Sequence, residues 1–217
     1  MAIRLSSSAS LVHFSSSDGL RIEGRLTKAS ADRAVVLCHP HPLYGGSMLT
    51  PVIMRAEQGF QEAGYTTLAF NFRGVGGSEG SYGEGPAEVA DVIGALAHLE
   101  EALGARPKLM AVAGYSFGSY VGAMAAAADQ RVGFYLGIAP PLNRYDFGFL
   151  RQAICRVALI GATHDEFCEA ARFNALYLSL PATPWTRVLD TDHFFSDARD
   201  DLTRACREAI AWMEAPA

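Results

Sequence analysis

A chain of 217 residues, half of them hydrophobic and 19% charged, has the size and composition of one folded domain rather than a disordered polymer. Its formal net charge of −5, with no run of Lys or Arg, gives no electrostatic reason to expect nucleic acid as a partner. No apolar stretch has the length to cross a bilayer, and Met1–Ser6 lacks the apolar core of a secretory signal. The four cysteines (Cys38, Cys155, Cys168 and Cys206) are scattered without a Cys-x-x-Cys pair, so reduced thiols in the cytoplasm are expected.

In chain order, two β-like segments come first, about 11–14 and 20–26, joined by Ser17-Asp18-Gly19, a hairpin signal. Six short apolar runs follow, at 34–38, 65–70, 109–113, 132–138, 156–160 and 186–189, each succeeded by loop residues. Helix-like stretches at 51–63, 86–103, 116–128, 166–178 and 197–213 lie between or after them. Alternation of nearly continuous apolar strands with helices predicts an α/β fold: a mostly parallel twisted sheet of about eight strands, the first hairpin antiparallel, with helices on both faces. One domain spanning 1–217 is expected, and ligand chemistry belongs at the carboxyl ends of the strands.

The strand at 34–38 runs into His39-Pro40-His41-Pro42-Leu43-Tyr44-Gly45-Gly46-Ser47. The His39-x-His41 pair invites a metal reading, but no further ligand spacing of a recognised site lies nearby, and neither metal nor cofactor is expected. After the strand at 65–70, the glycine-rich run Asn71–Gly80 suggests a dinucleotide loop. Glu79 stands where the third glycine is needed, however, and turn formers continue to Gly85, so no helix opens there to receive a pyrophosphate. A tight turn is the expectation, with Arg73 tying loop carbonyls; Met48, Met54 and Phe60 are read as core.

The strand at 109–113 leads into Gly114-Tyr115-Ser116-Phe117-Gly118 and then an Ala-rich helical stretch. A bare Gly-x-Ser-x-Gly is common, but a strand before it and a helix after it place Ser116 on a sharp turn above a helix N-terminus. Serine is a weak nucleophile and needs a base, which in turn needs an orienting acid. His193 follows the last strand and Asp165 follows the strand at 156–160. Asp165 also suits a helix cap, and Asp190 and Asp192 stand nearby as other acids. The order Ser, Asp, His is that of one acyl-transfer architecture. Ser116 is assigned as attacking oxygen, His193 as general base then acid, and Asp165 as keeper of the imidazole tautomer. The oxyanion needs two N–H donors: Phe117, next to the serine, and one from the 39–47 loop. Pro40 and Pro42 have no N–H, which leaves His41 or Leu43, with His41 preferred.

Together these motifs resemble the α/β-hydrolase fold over nearly the whole chain. More narrowly, the chain looks like the small bacterial serine hydrolases grouped with dienelactone-hydrolase-like proteins. The matching pieces are His39–Pro42 with Gly45–Met48, Asn71–Gly80, Gly114–Gly118, Ala139-Pro140-Pro141 and Asp192–Phe195. The resemblance implies a lidless hydrolase of esters or related acyl compounds. Dienelactone hydrolases proper carry a cysteine nucleophile where this chain has Ser116, so their substrate is not carried over. The acid loop is one residue longer than usual after Gly161, which keeps Glu166 beside Asp165. The expected partner is a small acyl substrate, with no membrane or nucleic acid, for a monomer or homodimer. A binding or sensory protein on the same fold, or a peptidase using the same three residues, is the competing reading. The 140–153 connection is too short for a cap domain, so the site is expected to be open.

Overall fold

The computed structural model describes residues 9–215; Met1–Ser6, read above for a secretory signal, lies outside them. The strands are β1 (Ser10–Ser15), β2 (Arg21–Thr27), β3 (Arg33–Cys38), β4 (Thr66–Phe70), β5 (Leu109–Tyr115), β6 (Phe134–Ile138), β7 (Arg156–His164) and β8 (Trp185–Asp192). They form one sheet in the order β1-β2-β4-β3-β5-β6-β7-β8. The β1–β2 and β2–β4 pairs are antiparallel, and the remaining pairs are parallel. This is the α/β-hydrolase architecture, and it has no lid domain among the described residues.

Five helices cover the two faces: α1 (Pro51–Glu62), α2 (Val89–Leu103), α3 (Phe117–Ala128), α4 (Ala170–Ser179) and α5 (Arg199–Glu214). Pro51 opens α1, where its fixed φ is already helical and its missing N–H costs nothing. Val52, Ile53, Ala56 and Phe60 recur at three- and four-residue intervals, so one stripe of α1 is buried. That stripe meets Leu202, Ala209 and Ile210 of α5 on one face of the sheet. On the other face, Val92 and Leu96 of α2, Val121 of α3 and Leu176 of α4 share the second core layer. With both faces covered, β4 and β6 are buried at every residue, which is why they read as continuous apolar runs.

Four boundaries differ from the sequence expectation by three or more residues. The strands β7 and β8 run on past Ile160 and Leu189 to His164 and Asp192, with an irregularity in their pairing between Ala162 and His164. Most of the extra residues are polar, and Thr163, His164 and Asp190 are exposed, because pairing at the sheet edge does not require burial. Helix α2 begins at Val89 rather than Pro86. Glu84 and Gly85 adopt φ of 63° and 106°, and the Glu88 carboxylate accepts the N–H groups of Gly83 (2.7 Å) and Gly85 (2.7 Å). Helix α4 begins at Ala170 rather than Glu166, because Asp165 turns the chain instead of capping the helix. Its Oδ1 accepts the Phe167 N–H at 2.8 Å. Among the described residues, no helix is long and apolar enough to cross a membrane.

Candidate active site

The carboxyl ends of the parallel strands meet at an open cleft of about 780 Å³. Ser116 joins β5 to α3 with φ 54° and ψ −122°, a conformation that costs a non-glycine residue of order 1–3 kcal/mol. The surroundings hold it there. The Ser116 N–H donates to the Ile138 carbonyl (2.9 Å), and the Ser116 carbonyl accepts from the Ser119 N–H (2.9 Å) and hydroxyl (2.6 Å). Both flanking glycines are required by close approach. A Cβ on Gly114 would stand 2.1 Å from the Gly118 carbonyl oxygen, and one on Gly118 would stand 2.2 Å from the Cys38 carbonyl oxygen.

His193 follows β8 and bridges the other two residues. Its Nε2 lies 3.0 Å from Ser116 Oγ, and its Nδ1 lies 2.9 and 2.8 Å from the two Asp165 oxygens. A carboxylate only accepts, so Nδ1 carries the proton and Nε2 is left to accept from the serine hydroxyl. The side chains of His193 and Asp165 are 4% and 1% exposed, which removes competing water from their contact. Phe167 and Tyr115 pack on the imidazole at 4.6 and 5.4 Å between ring centres, and the Tyr115 hydroxyl donates to the His193 carbonyl at 3.1 Å. Burial pushes the Tyr115 phenol up, which keeps it a donor. Hydroxyl, imidazole and carboxylate in series can pass one proton from the serine to the histidine.

The neighbouring acids are committed elsewhere. Glu166 points to solvent. Asp190 pairs with His164 at 3.1 Å, and Asp192 accepts from the N–H groups of Phe194 and Ser196 and from the Ser196 hydroxyl. These bonds from Ser196 and Phe194 hold the Asp192 carboxyl below its usual range.

In the loop after β3, the Leu43 N–H donates to His41 Nδ1 at 3.2 Å, and the Leu43 side chain is 68% exposed. The N–H groups of His41 and Phe117 meet no acceptor among the described residues, and both residues line the cleft. Gly46 closes this loop, since a Cβ there would stand 2.1 Å from the Pro40 carbonyl oxygen. The His41 ring rests against Tyr82 and Phe117 at 4.8 and 5.0 Å, and its pKa is lowered by burial.

His39 has a different part. It is fully buried, its Nε2 accepts the Phe72 N–H at 2.9 Å, and its Nδ1–H donates to the Pro40 carbonyl at 2.6 Å. Both ring nitrogens are thereby occupied, and burial lowers its pKa to about 4. Among the described residues, no three His, Cys, Asp or Glu side chains are grouped to hold a metal ion. The Asn71–Gly80 run forms turns, as expected, but Arg73 does not tie loop carbonyls. Its guanidinium pairs with the buried Asp91 at 2.8 Å and with Asp18 at 3.0 Å. Asn71 links the two loops by accepting from the Met48 N–H (2.9 Å) and donating to Glu23 (2.7 Å). Met48 and Phe60 are buried, and Met54 is half-buried.

Sequence reasoning passed over Tyr115, Phe167 and Asn143. The Asn143 side chain accepts from the Glu169 N–H (3.3 Å) and donates to the Glu166 carbonyl (3.4 Å), bracing the loop that carries Asp165. The aromatic residue next to Ser116 inside the Gly-x-Ser-x-Gly motif was a usable signal for Tyr115; Asn143 had none.

With fold and geometry in place, kinship is direct. Residues 35–217 match the alpha/beta hydrolase family, and the chain belongs to it. An uncharacterised protein of Rickettsia prowazekii is 30% identical, over 94% of this chain and 89% of its own. A protein of unknown function from Agrobacterium tumefaciens has 30% identity and a TM-score of 0.86, covering 93% of this chain and 95% of that one. An alpha/beta serine hydrolase without lid from Xanthomonas campestris has 27% identity and a TM-score of 0.84, covering 98% and 99% respectively.

Proposed function

We propose that the chain is a serine hydrolase that cleaves carboxylic esters or thioesters of small acyl substrates through an acyl-enzyme intermediate. The observation that carries this reading is the His193 imidazole, set between Ser116 Oγ at 3.0 Å and the Asp165 carboxylate at 2.8 Å. In the first half-reaction Ser116 Oγ attacks the substrate carbonyl carbon while its proton passes to His193 Nε2. The carbonyl π electrons move onto oxygen, and the free N–H groups of Phe117 and His41 are the donors assigned to that oxyanion. Collapse expels the alcohol or thiol, which takes the proton from Nε2 and leaves an ester on Ser116. In the second half-reaction water attacks this ester with His193 again as base, and the acid departs. Asp165 keeps the proton on Nδ1 throughout, so that Nε2 always faces the reacting atoms.

His41 is favoured over Leu43 as second donor because the Leu43 N–H is already given to His41 Nδ1. The four cysteines are unpaired and three are buried, which accords with a reducing compartment such as the cytoplasm. The test is steady-state hydrolysis of p-nitrophenyl acetate and acetyl thioesters by the purified protein and by Ser116→Ala. The wild type should turn over, and the variant should lose roughly 10⁴-fold or more of kcat with its fold intact. Equal rates in the two proteins would refute the assignment.

A further inference from the structure

A second concavity of about 470 Å³ adjoins the cleft, between α4 and the connection from β6 to β7. It shares Arg144 and Tyr145 with the cleft, so the two lie side by side. Three exposed arginines line it, Arg144, Arg151 and Arg172, against the single acidic residue Asp146, a local net charge of +2. Asp146 Oδ1 is already engaged by the Gly148 N–H at 2.8 Å. None of the three arginines pairs with a carboxylate among the described residues. Arg172 makes only a long contact, 3.5 Å, with the Leu142 carbonyl. Elsewhere the contrast is plain: Arg55, Arg73 and Arg131 each hold a carboxylate at 3.0 Å or less.

Three exposed cations without a carboxylate partner around one hollow repel one another, and they sit in a chain whose net charge is −5. An anion in the hollow would relieve that repulsion, and the planar fork of guanidinium matches carboxylate and phosphate oxygens. We propose that this groove binds a carboxylate or phosphate carried by the substrate at a distance from the scissile bond. The proposal rests on the hydrolase reading above and narrows it to acidic acyl substrates or acyl groups on a phosphorylated thiol. Remote binding of this kind raises kcat/KM for the substrate that carries the anion and leaves its neutral analogue behind.

The experiment compares matched pairs on the whole protein. For the carboxylate source, the pair is the mono-p-nitrophenyl ester of glutaric acid against p-nitrophenyl pentanoate. For the phosphate source, it is acetyl phosphopantetheine against acetyl pantetheine. At least one anionic member should exceed its neutral partner tenfold in kcat/KM. The ratio should fall toward one in the double variant Arg151→Gln/Arg172→Gln and in high salt, and should not change in Arg187→Gln, an exposed arginine elsewhere. Ratios near one in the wild type, or ratios that the double variant leaves unchanged, would overturn the groove while leaving the hydrolase reading intact. Calorimetric binding of monomethyl glutarate and phosphopantetheine to Ser116→Ala, with and without the two groove substitutions, decides the matter independently of turnover. Tenfold weaker binding without the arginines supports the site, and equal or undetectable binding in both proteins removes it.

Discussion

Asp165, Glu166, Asp190 and Asp192 are four carboxylates close in sequence to the ends of β7 and β8, and only Asp165 lies against His193 Nδ1. Replacing it with asparagine leaves the shape and removes the charge that fixes the imidazole tautomer. Asp165→Asn should therefore lower kcat by roughly 10⁴-fold, while Asp190→Asn and Glu166→Gln stay within a fewfold of wild type. Stopped-flow or steady-state ester hydrolysis measures this directly; a mild Asp165→Asn with a damaging Glu166→Gln would move the acid by one residue. The identities of Ser116 and His193 as candidates were legible because each stands in a short motif at a strand end. The choice among the four acids was not, since it depends on which side chain folds inward, and that is decided by the turn from Asp165 to Cys168 and by Asn143, which bonds to that loop.

At the scale of elements, the serine turn works because β3, β5 and α3 come unusually close. Gly118→Ala would drive a methyl group into the Cys38 backbone, 2.2 Å from its carbonyl oxygen, and rigid backbone has nowhere to go. Gly133→Ala meets nothing nearer than the Met110 carbonyl oxygen at 4.0 Å. Urea unfolding should show Gly118→Ala destabilised by more than about 3 kcal/mol, or failing to fold, and Gly133→Ala changed by less than about 1 kcal/mol. Most strands and helices were readable because the doubly covered sheet makes its inner strands continuously apolar. The early start expected for α2 and α4 failed for a local reason. Side-chain carboxylates of Glu88 and Asp165 capture backbone N–H groups and hold turns where hydropathy suggests helix.

At the scale of the whole molecule, the 140–153 connection forms a wall and not a cover. Phe147 and Leu150 are buried, while Pro141, Arg144 and Tyr145 line one side of the open cleft. A long acyl chain would leave apolar surface in water, forfeiting roughly 0.8 kcal/mol per unburied CH₂. Activity on p-nitrophenyl esters should peak between acetate and butyrate, and a maximum at long chains would reveal a tunnel. Stability carries a second signature of the whole fold. The neutral His39 ring ties the loops after β3 and β4 together, and its folded pKa of about 4 lies below its ordinary 6.5. The unfolded chain therefore binds the extra proton first, so this contribution is complete above pH 6.5 and is lost as pH falls toward 4. The loss amounts to about 3 kcal/mol. Urea midpoints measured from pH 7.5 to 4.5 should fall more steeply for the wild type than for His39→Gln.

The central claim is that Ser116 is the oxygen that becomes acylated. Treating the protein with a fluorophosphonate and mapping the modified peptide by mass spectrometry tests it most directly, because the reagent requires an activated serine. The account predicts a single adduct on Ser116, which disappears in His193→Ala. An adduct on another residue, or one that forms at an undiminished rate without His193, would contradict it.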